Sequence, residues 1–215
     1  MRIDLHTHSL ISDGELLPAE LSARAKKAGH DAIAITDHVD MTNIDHAVGQ
    51  AMRAIELSED YIRTIPGVEI THVPPRMIGV LVKKARDLGA QIIVVHGETV
   101  TEPVAKGTNR AAVENPEVDI LAHPGFITKE EAELAAMNGV ALEITGRKGH
   151  SLTNGHVARM AIDAGASLVI NSDAHSPRDL MDEQKAITVA MGAGLDRELA
   201  LQAVHKAPLD IIGRL

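Results

Sequence analysis

The chain contains no cysteine and no tryptophan, and its 215 residues include one tyrosine and one phenylalanine. Without cysteine, disulfides and thiolate metal ligands are excluded, so any metal must be held by histidine, aspartate or glutamate. With two aromatic side chains, the stacking platforms that bind single-stranded nucleic acids are nearly absent. The chemistry of this chain therefore depends on its 12 histidines and 30 acidic residues.

Long apolar runs are absent as well. No run approaches the ~20 residues that a membrane helix requires, and the N-terminus enters a predicted strand without a basic or apolar signal segment. We therefore expect a cytoplasmic protein with no membrane contact. The formal net charge of -9 argues against an extended nucleic-acid surface. Three divalent ions would add +6 to this charge and leave -3.

Short apolar runs alternate with helical patterns over the whole chain. Predicted strands lie near residues 2–6, 32–36, 64–69, 91–95, 118–122, 140–144 and 167–171. Predicted helices lie near residues 18–28, 46–60, 76–88, 129–138, 153–164, 179–191 and 196–205. The strands are continuously apolar, which is typical of parallel strands buried on both faces. We predict a single α/β domain over residues 1–215, a TIM-like barrel with seven strands, with a doubly wound open sheet as the alternative.

Histidines concentrate at the C-terminal ends of the apolar runs. A barrel of parallel strands gathers these ends into one ring, where active sites lie. Many imidazoles and a few carboxylates in one ring are the donors of a multinuclear metal site. The residues at these ends are His6, His8, His38, His96, His123 and His175, and a further run ends in Glu69.

The alternation of side chains along a strand predicts which of these residues face together. Asp4, His6 and His8 are expected to share one face of the first strand. Asp37 and His38 are adjacent, so only one of them can face the ring. A lone histidine is more often a surface or hydrogen-bonded residue, but six of them at strand ends favour metal binding.

Four segments resemble, in order, the motifs of the PHP (polymerase and histidinol phosphatase) family. They are residues 4–9 with 12–14, residues 36–38, residues 122–125 and residues 172–175. The resemblance extends from residue 2 to about residue 178. It implies a distorted seven-stranded barrel, up to three metal ions (usually zinc, manganese or iron) and, in many members, cleavage of phosphate esters.

The resemblance also implies a set of nine metal ligands, all of which are suitable donors in this chain. One ion is expected at His6, His8, Glu69 and Asp173, a second at Glu69, His96 and His123, and a third at Asp13, His38 and His175. Two or three divalent ions are therefore expected as cofactors. Family members that serve as scaffolds often lack several of these ligands, whereas this chain has all nine.

Metal-binding imidazoles also need acceptors for their second N–H group. We expect Asp4, Asp37 and Glu98 to supply them, although a helix cap or a solvated charge is an equal alternative for each. His72, three residues after Glu69, is a candidate for a further ligand or a substrate contact. The remaining histidines are predicted to lie at the surface, namely His30, His46, His156 and His205.

Phosphate recognition requires cationic donors near the metals. The loop after the sixth predicted strand carries Arg147 and Lys148, and Arg178 follows the last ligand. His150, in the same loop, is expected to contact the phosphate and is also a candidate general acid. The alternative for this loop is a solvated basic turn. The long polar segment 97–110 is either a functional loop or a flexible excursion.

These patterns favour a metal-dependent phosphoesterase that hydrolyses a small phosphorylated substrate with a metal-bound hydroxide. Histidinol phosphate is one candidate substrate. A nuclease or nucleotide phosphatase of the same fold is an alternative. A second alternative is a non-catalytic subunit like the barrel protein of archaeal ribonuclease P, which calls for a basic face. An oligomer is compatible with the sequence.

Overall fold

Eight parallel strands form the sheet at the centre of the molecule. The structure, a computed structural model, describes residues 1–60 and 62–214. The strands run in the spatial order β1-β2-β4-β5-β6-β7-β8, and the short β3 pairs with β4 beyond the end of β2. Their bounds are β1 (Arg2–Asp4), β2 (His30–Ile35), β3 (His38–Val39), β4 (Arg63–Ile70), β5 (Ile92–His96), β6 (Ile120–Ala122), β7 (Ala141–Thr145) and β8 (Leu168–Asn171).

The sheet curls into a nearly closed barrel, so the predicted distorted TIM-like barrel is confirmed and the open sheet is wrong. At the seam between β8 and β1, a single parallel bridge joins Thr7 to Ala174. Side chains complete the closure below it, where the guanidinium of Arg2 donates to the carbonyl of Ile170 at 2.9 Å. The seam distorts the barrel because side chains replace part of its backbone ladder.

Helices cover the outside of the barrel. Their bounds are α1 (Pro18–Lys27), α2 (Ile44–Glu56), α3 (Pro75–Asp87), α4 (Thr108–Val113), α5 (Lys129–Asn138), α6 (Asn154–Ala164), α7 (Glu183–Gly192), α8 (Arg197–Leu201) and α9 (Ala207–Ile212). A 3₁₀ turn at His150–Thr153 precedes α6, and a π turn at Gln202–Lys206 joins α8 to α9. Among residues 1–60 and 62–214, none of the helices combines the length and apolarity that a membrane crossing requires.

Three details of the helices differ from the prediction. Helix α4 begins at Thr108, within the segment 97–110 that was expected to be a loop, and extends beyond it to Val113. Helix α7 begins only at Glu183, because the side chain of Asp182 accepts a hydrogen bond from the N–H of Lys185 and caps the helix there. The C-terminal helix contains a π turn next to Pro208, which has no N–H for the regular helical bond.

Two apolar layers support the barrel. The interior is filled by strand side chains such as Ile3, Ala34 and Val94, together with Ile211 and Ile212 of α9. Two further clusters, one of them larger, lie between the sheet and the surrounding helices. The interior near the C-terminal strand ends is polar instead, and this is where the predicted ligands lie.

Candidate metal centre

All nine predicted metal ligands converge at the C-terminal end of the barrel. Loops after β1, β6 and β8 carry six of them, and β3, β4 and β5 carry one each. Their donor atoms fall into groups whose members lie within 4.8 Å of one another. The groups are His6–His8–Glu69, His6–His123–Asp173, Glu69–His96–His123 and His8–Asp13–His38–His175.

The first two groups surround Glu69 deep in the barrel. Nε2 of His6 lies 3.4 Å from Oε1 of Glu69, and Nε2 of His8 lies 3.6 Å from Oε2. Asp173 approaches from β8, with Oδ1 3.3 Å from Nε2 of His8. All four side chains are buried. The two oxygens of Glu69 therefore face two different imidazoles of this group.

The Glu69–His96–His123 group shares the same carboxylate. Nε2 of His123 is 3.5 Å from Oε1 of Glu69. Nδ1 of His96 donates to the carbonyl of Gly97 at 3.2 Å, which leaves Nε2 as the donor atom toward the ring. Glu69 thus belongs to two groups at once.

The last group opens to solvent. Oδ1 of Asp13 lies 3.2 Å from Nε2 of His175, 3.6 Å from Nε2 of His38 and 3.9 Å from Nδ1 of His8. The side chain of Asp13 is 56% exposed, whereas that of His8 is buried. His8 therefore faces this group with Nδ1 and Glu69 with Nε2, a sharing that the sequence did not predict.

Several buried donors of the centre make no hydrogen bond among the described residues, although Nδ1 of His38 lies 2.8 Å from Oε2 of Glu69. Nε2 of His6, both nitrogens of His8 and both oxygens of Glu69 are buried without a hydrogen bond. An unsatisfied buried polar atom costs about 1–3 kcal/mol. Divalent ions would satisfy these atoms, and a set of imidazoles and carboxylates without thiolate suits zinc, manganese or iron. The residues present therefore fit a multinuclear metal site.

Burial and neighbouring charges shift the pKa values of the carboxylates in the centre. Burial opposes the ionisation of Glu69, but the imidazoles of His6, His38 and His96 outweigh it and hold the pKa of this carboxyl well below its usual range. Burial raises the pKa of Asp173. In the absence of metal, protons on the imidazoles supply the positive charge that Glu69 needs.

Backbone strain marks the same region. Only three non-glycine residues of the described chain have positive φ angles, namely His72 at 53°, His123 at 27° and Asp173 at 51°. Such conformations cost of order 1–3 kcal/mol and tend to cluster at functional sites. Two of the three are predicted ligands.

Glu143 supports the centre, a role that the sequence analysis missed. Its fully buried Oε1 accepts from Nδ1 of His6 at 2.8 Å and from Nδ2 of Asn171 at 3.0 Å. Its Oε2 accepts from the backbone N–H of His123 at 3.1 Å. Glu143 is the single charged residue of the apolar strand β7, and this signal could have identified it.

Asp4 and Asp37 have other partners than the predicted imidazoles. Strand β1 ends at Asp4, and Leu5 points into the barrel interior, so Asp4 lies on the other face from the one predicted. Its carboxylate accepts from Arg2 at 2.7 Å and from the backbone N–H of Ser172. Asp37 faces away from the ring, as expected of one of the adjacent pair, and accepts from the backbone N–H and the hydroxyl of Ser9.

Glu98 also differs from the prediction. Its Oε1 accepts from the backbone N–H groups of Gly107 and Asn109, at 2.9 and 3.0 Å, at the start of α4. It therefore organises the loop after β5. Asp4, Asp37 and Glu98 were predicted to accept hydrogen bonds from the metal-binding imidazoles. All three instead accept from backbone N–H groups.

The predicted phosphate-binding residues lie at different depths. Nη1 of Arg147 is 3.6 Å from Oδ2 of Asp179, which also accepts from the backbone N–H of His175. Arg147 is therefore tied to the loop of the solvent-facing ligands. Lys148 and Arg178 are exposed.

His150 is buried beside the centre. Its Nδ1 lies 2.7 Å from Oγ1 of Thr99, and its ring centroid is 4.3 Å from that of His123. Burial and the neighbouring His123 lower the pKa of His150 to about 4. The imidazole is neutral at pH 7, so it can donate or accept a hydrogen bond there.

The four histidines predicted at the surface fall into different environments. His46 is exposed. The prediction for His30 is wrong, because its ring is buried, with Nδ1 bonded to the carbonyl of Ala25 at 3.0 Å. His156 and His205 are half-buried and bonded to backbone carbonyls. The sequence predicted His30 from its place at a helix end, but β2 begins there.

Glu102 is a second residue that the sequence analysis missed. It lies in the loop between β5 and α4, and its carboxylate contacts Nε2 of His96 at 3.0 Å and Nε2 of His72 at 3.2 Å. Contact with His96 holds the pKa of Glu102 well below its usual range. Nothing in the sequence distinguishes Glu102 from its acidic neighbours, because the path of the loop decides the contact.

Comparison with known proteins places this geometry in context. The sequence profile of the family described as PHP domain matches residues 4–150. An uncharacterized protein of Methanocaldococcus jannaschii is 49% identical over 219 residues and covers 100% of both chains. Ribonuclease P protein component 3 of Methanosarcina mazei is 31% identical, covering 94% of this chain and 85% of its own. A probable phosphatase of Shewanella loihica is 31% identical, covering 98% and 92%.

A solved structure has the same fold. Histidinol phosphate phosphatase of Lactococcus lactis, complexed with zinc, L-histidinol and phosphate, aligns with a TM-score of 0.63. The alignment covers 91% of this chain and 94% of that one at 17% identity. At this identity the likeness concerns the barrel alone.

Proposed function

This chain belongs to the PHP domain family, and we propose that it is a metal-dependent phosphoesterase acting on a small phosphorylated molecule. One observation carries the proposal: buried, unpartnered donors of His6, His8 and Glu69 face one another at the barrel mouth. Apolar side chains at these positions would avoid the cost of unsatisfied polar atoms. Bound ions would satisfy these donor atoms, whereas without ions the unsatisfied atoms only destabilise the fold.

The ligand roles follow the groups of donor atoms. Divalent ions of zinc, manganese or iron, when bound, neutralise phosphoryl oxygens and lower the pKa of water to about 7. Glu69 is proposed as the bridging ligand because it belongs both to the His6–His8–Glu69 group and to the Glu69–His96–His123 group. The three proposed sites are His6–His8–Glu69–Asp173, Glu69–His96–His123 and Asp13–His38–His175.

The remaining polar residues orient the ligands and the substrate. Glu143 keeps the proton of His6 on Nδ1 and thereby directs Nε2 into the centre. Arg147, held beside the loop of His175 through Asp179, is placed to donate to a phosphoryl group. His150, neutral at pH 7, is proposed to hydrogen-bond the substrate rather than to act as a strong acid.

A phosphate ester as substrate is supported by the Shewanella relative, and it fits the ligands of one solved structure that shares the barrel. The Lactococcus structure holds phosphate and L-histidinol with zinc. The Shewanella relative is called a probable phosphatase and matches nearly the whole chain. Histidinol phosphate is therefore one candidate among small phosphate esters, and a nucleotide is another.

A second candidate is a protein subunit of ribonuclease P, which the Methanosarcina relative favours. The net charge of -9 and the two aromatic residues oppose an extended RNA surface. Filter binding of ribonuclease P RNA in low and high salt separates the two functions. RNA binding that weakens steeply with salt, without hydrolysis of small esters, would favour the subunit.

The phosphoesterase proposal is tested with a panel of phosphorylated metabolites, with zinc, manganese and iron supplied separately. We expect hydrolysis of at least one ester by the wild type and none by Glu69→Gln. Glu56→Gln, an exposed change on α2, is the matched control. Circular dichroism verifies that each variant is folded. Full turnover by Glu69→Gln, or a metal-loaded wild type that is inert toward the whole panel, would contradict the proposal.

A further inference from the structure

Glu102 reaches from the solvent side onto the imidazoles of the centre. Its Oε2 lies 3.0 Å from Nε2 of His96 and 3.2 Å from Nε2 of His72, and its Oε1 lies 3.5 Å from Nε2 of His150. The side chain of Glu102 is 42% exposed, whereas that of His96 is 3% exposed. One carboxylate of a surface loop therefore contacts a buried, proposed metal ligand.

His72 joins this contact in a strained backbone conformation. Its φ angle of 53° is one of three positive values at non-glycine residues, and the other two belong to His123 and Asp173. The ring centroid of His72 lies 4.9 Å from that of His96. The fold thus holds His72 beside the centre at a cost in backbone energy, as it does for two proposed ligands.

His96 can serve only one ion with its ring. Its Nδ1 donates to the carbonyl of Gly97, so Nε2 is the single nitrogen that is free to bind metal. His96 belongs both to the Glu69–His96–His123 group and to a His72–His96–Glu102 group, each with donors within 4.8 Å. An ion bound to Nε2 of His96 would therefore be shared by both groups.

We infer that Glu102 and His72 are additional, outer ligands of the ion held by His96, and that this ion fastens the loop between β5 and α4 over the centre. The inference rests on the proposed metal site. Glu69 and His123 hold the ion from inside the barrel, while Glu102 and His72 hold it from the solvent side. Because Glu102 is on a loop, its coordination couples metal binding to the position of that loop.

Zinc titration of the metal-free protein by calorimetry tests the inference. Glu102→Gln preserves the size of the side chain and removes its charge, and His72→Asn removes the imidazole while asparagine tolerates positive φ. We expect each change to weaken one zinc-binding step by about tenfold or more, the scale found when groups supporting a metal are removed. The other steps should keep wild-type affinity. Glu56→Gln should match the wild type in every step.

Hydrogen exchange of the backbone amides of residues 99–106 provides a readout that is independent of activity. We expect zinc to slow this exchange in the wild type and to leave it unchanged in Glu102→Gln. Wild-type affinity in both variants, or equal protection of the loop in Glu102→Gln, would overturn the inference. A wild type that binds no zinc at all would overturn the metal centre itself, which distinguishes the two failures.

Discussion

His6 and Glu143 are joined by a hydrogen bond of 2.8 Å between Nδ1 and Oε1, although 137 residues separate them in the sequence. The same carboxylate accepts from Asn171 and from the backbone of His123. An ionised carboxylate can accept hydrogen bonds but cannot donate them. The nitrogen of His6 that faces Glu143, Nδ1, must therefore carry a proton. One buried side chain of β7 therefore sets the tautomer of a proposed ligand and the backbone position of another.

Replacing Glu143 with alanine should weaken metal binding. Loss of a carboxylate that orients a metal-binding histidine costs about 10–100-fold in affinity. We expect this loss by calorimetry with zinc, while Glu133→Gln on the exposed face of α5 should bind like the wild type. A folded Glu143→Ala protein with unchanged affinity would show that His6 needs no partner to bind.

Replacing Arg147 with alanine should reduce kcat/KM for phosphate esters. The expected loss is roughly 1–3 kcal/mol of transition-state free energy, the scale of a charged hydrogen bond. Metal content should stay the same, because a guanidinium is not a ligand. Arg159→Ala, an exposed change on α6, is the control. Unchanged kinetics in Arg147→Ala would leave phosphate recognition to Arg178 or to the metals.

The stability of the metal-free protein should fall between pH 6.5 and about 9. Burial disfavours the imidazolium of His38, but Glu69 and Asp13 outweigh burial and raise the pKa of His38 to about 9. A raised folded-state pKa contributes stability that is complete below 6.5 and is lost as pH rises through 9. The pKa values of His8 and His150 are lowered, so both are neutral in the folded protein throughout this window.

Denaturant unfolding of the chelated protein at several pH values measures this effect. The pKa values of His6 and His96 are also raised, so His38→Asn should reduce the pH dependence rather than abolish it. Zinc affinity should change in the opposite direction and increase over the same window, because a ligand must lose its proton to bind. Stability that stays constant across this window would contradict the assigned shift.

Replacing Arg2 with methionine should strongly destabilise the fold. Arg2 and Asp4 form a fully buried ion pair of 2.7 Å at the barrel seam. Burial raises the pKa of Asp4, but Arg2, His30 and Ser172 together outweigh it, so the pKa is lowered to about 2. Removal of one partner of a buried pair costs about 3–5 kcal/mol. Urea unfolding should show this loss, and Arg2→Met combined with Asp4→Asn should recover part of it.

Removal of metal should lower the melting temperature. Elemental analysis of protein prepared without chelators should find two or three divalent ions per chain. A ligand present at a thousandfold excess over its Kd stabilises the fold by about 4 kcal/mol, and each kcal/mol corresponds to roughly 2–4 °C for a domain of this size. Chelation should therefore lower Tm by about 10 °C. Equal melting with and without chelator would contradict the metal centre.

Much of the fold and of the metal centre could be predicted from local patterns. In a barrel of parallel strands, a histidine at the C-terminal end of any strand lies at the same rim, independently of the other segments of the chain. For this reason His96, which ends the run of β5, was recognisable as a candidate from its own segment. Glu69 and His123 were recognisable in the same way. The barrel itself followed from continuously apolar strands separated by helices.

Where a strand ends was harder to predict, and the error on Asp4 shows why. Alternation predicted one shared face for Asp4 and His6, but Ile3 and Leu5 both point into the interior, so Asp4 between them lies on the opposite face, and the regular strand ends before His6. The seam with β8 decides this end, because Arg2 and Asp4 bond there to β8 and to the segment that follows it. A pairing with residues about 170 positions away leaves no trace in a local pattern.

The sequence by itself determined which donors are present and that they meet at one end of a barrel, because both depend on residue type and strand periodicity. The tertiary structure alone decided that Glu143 orients His6, that His8 faces two groups, and that Glu102 contacts His96. These contacts depend on barrel closure and on the path of a loop. Both arise from packing among distant segments, and so they are absent from any single segment of the chain.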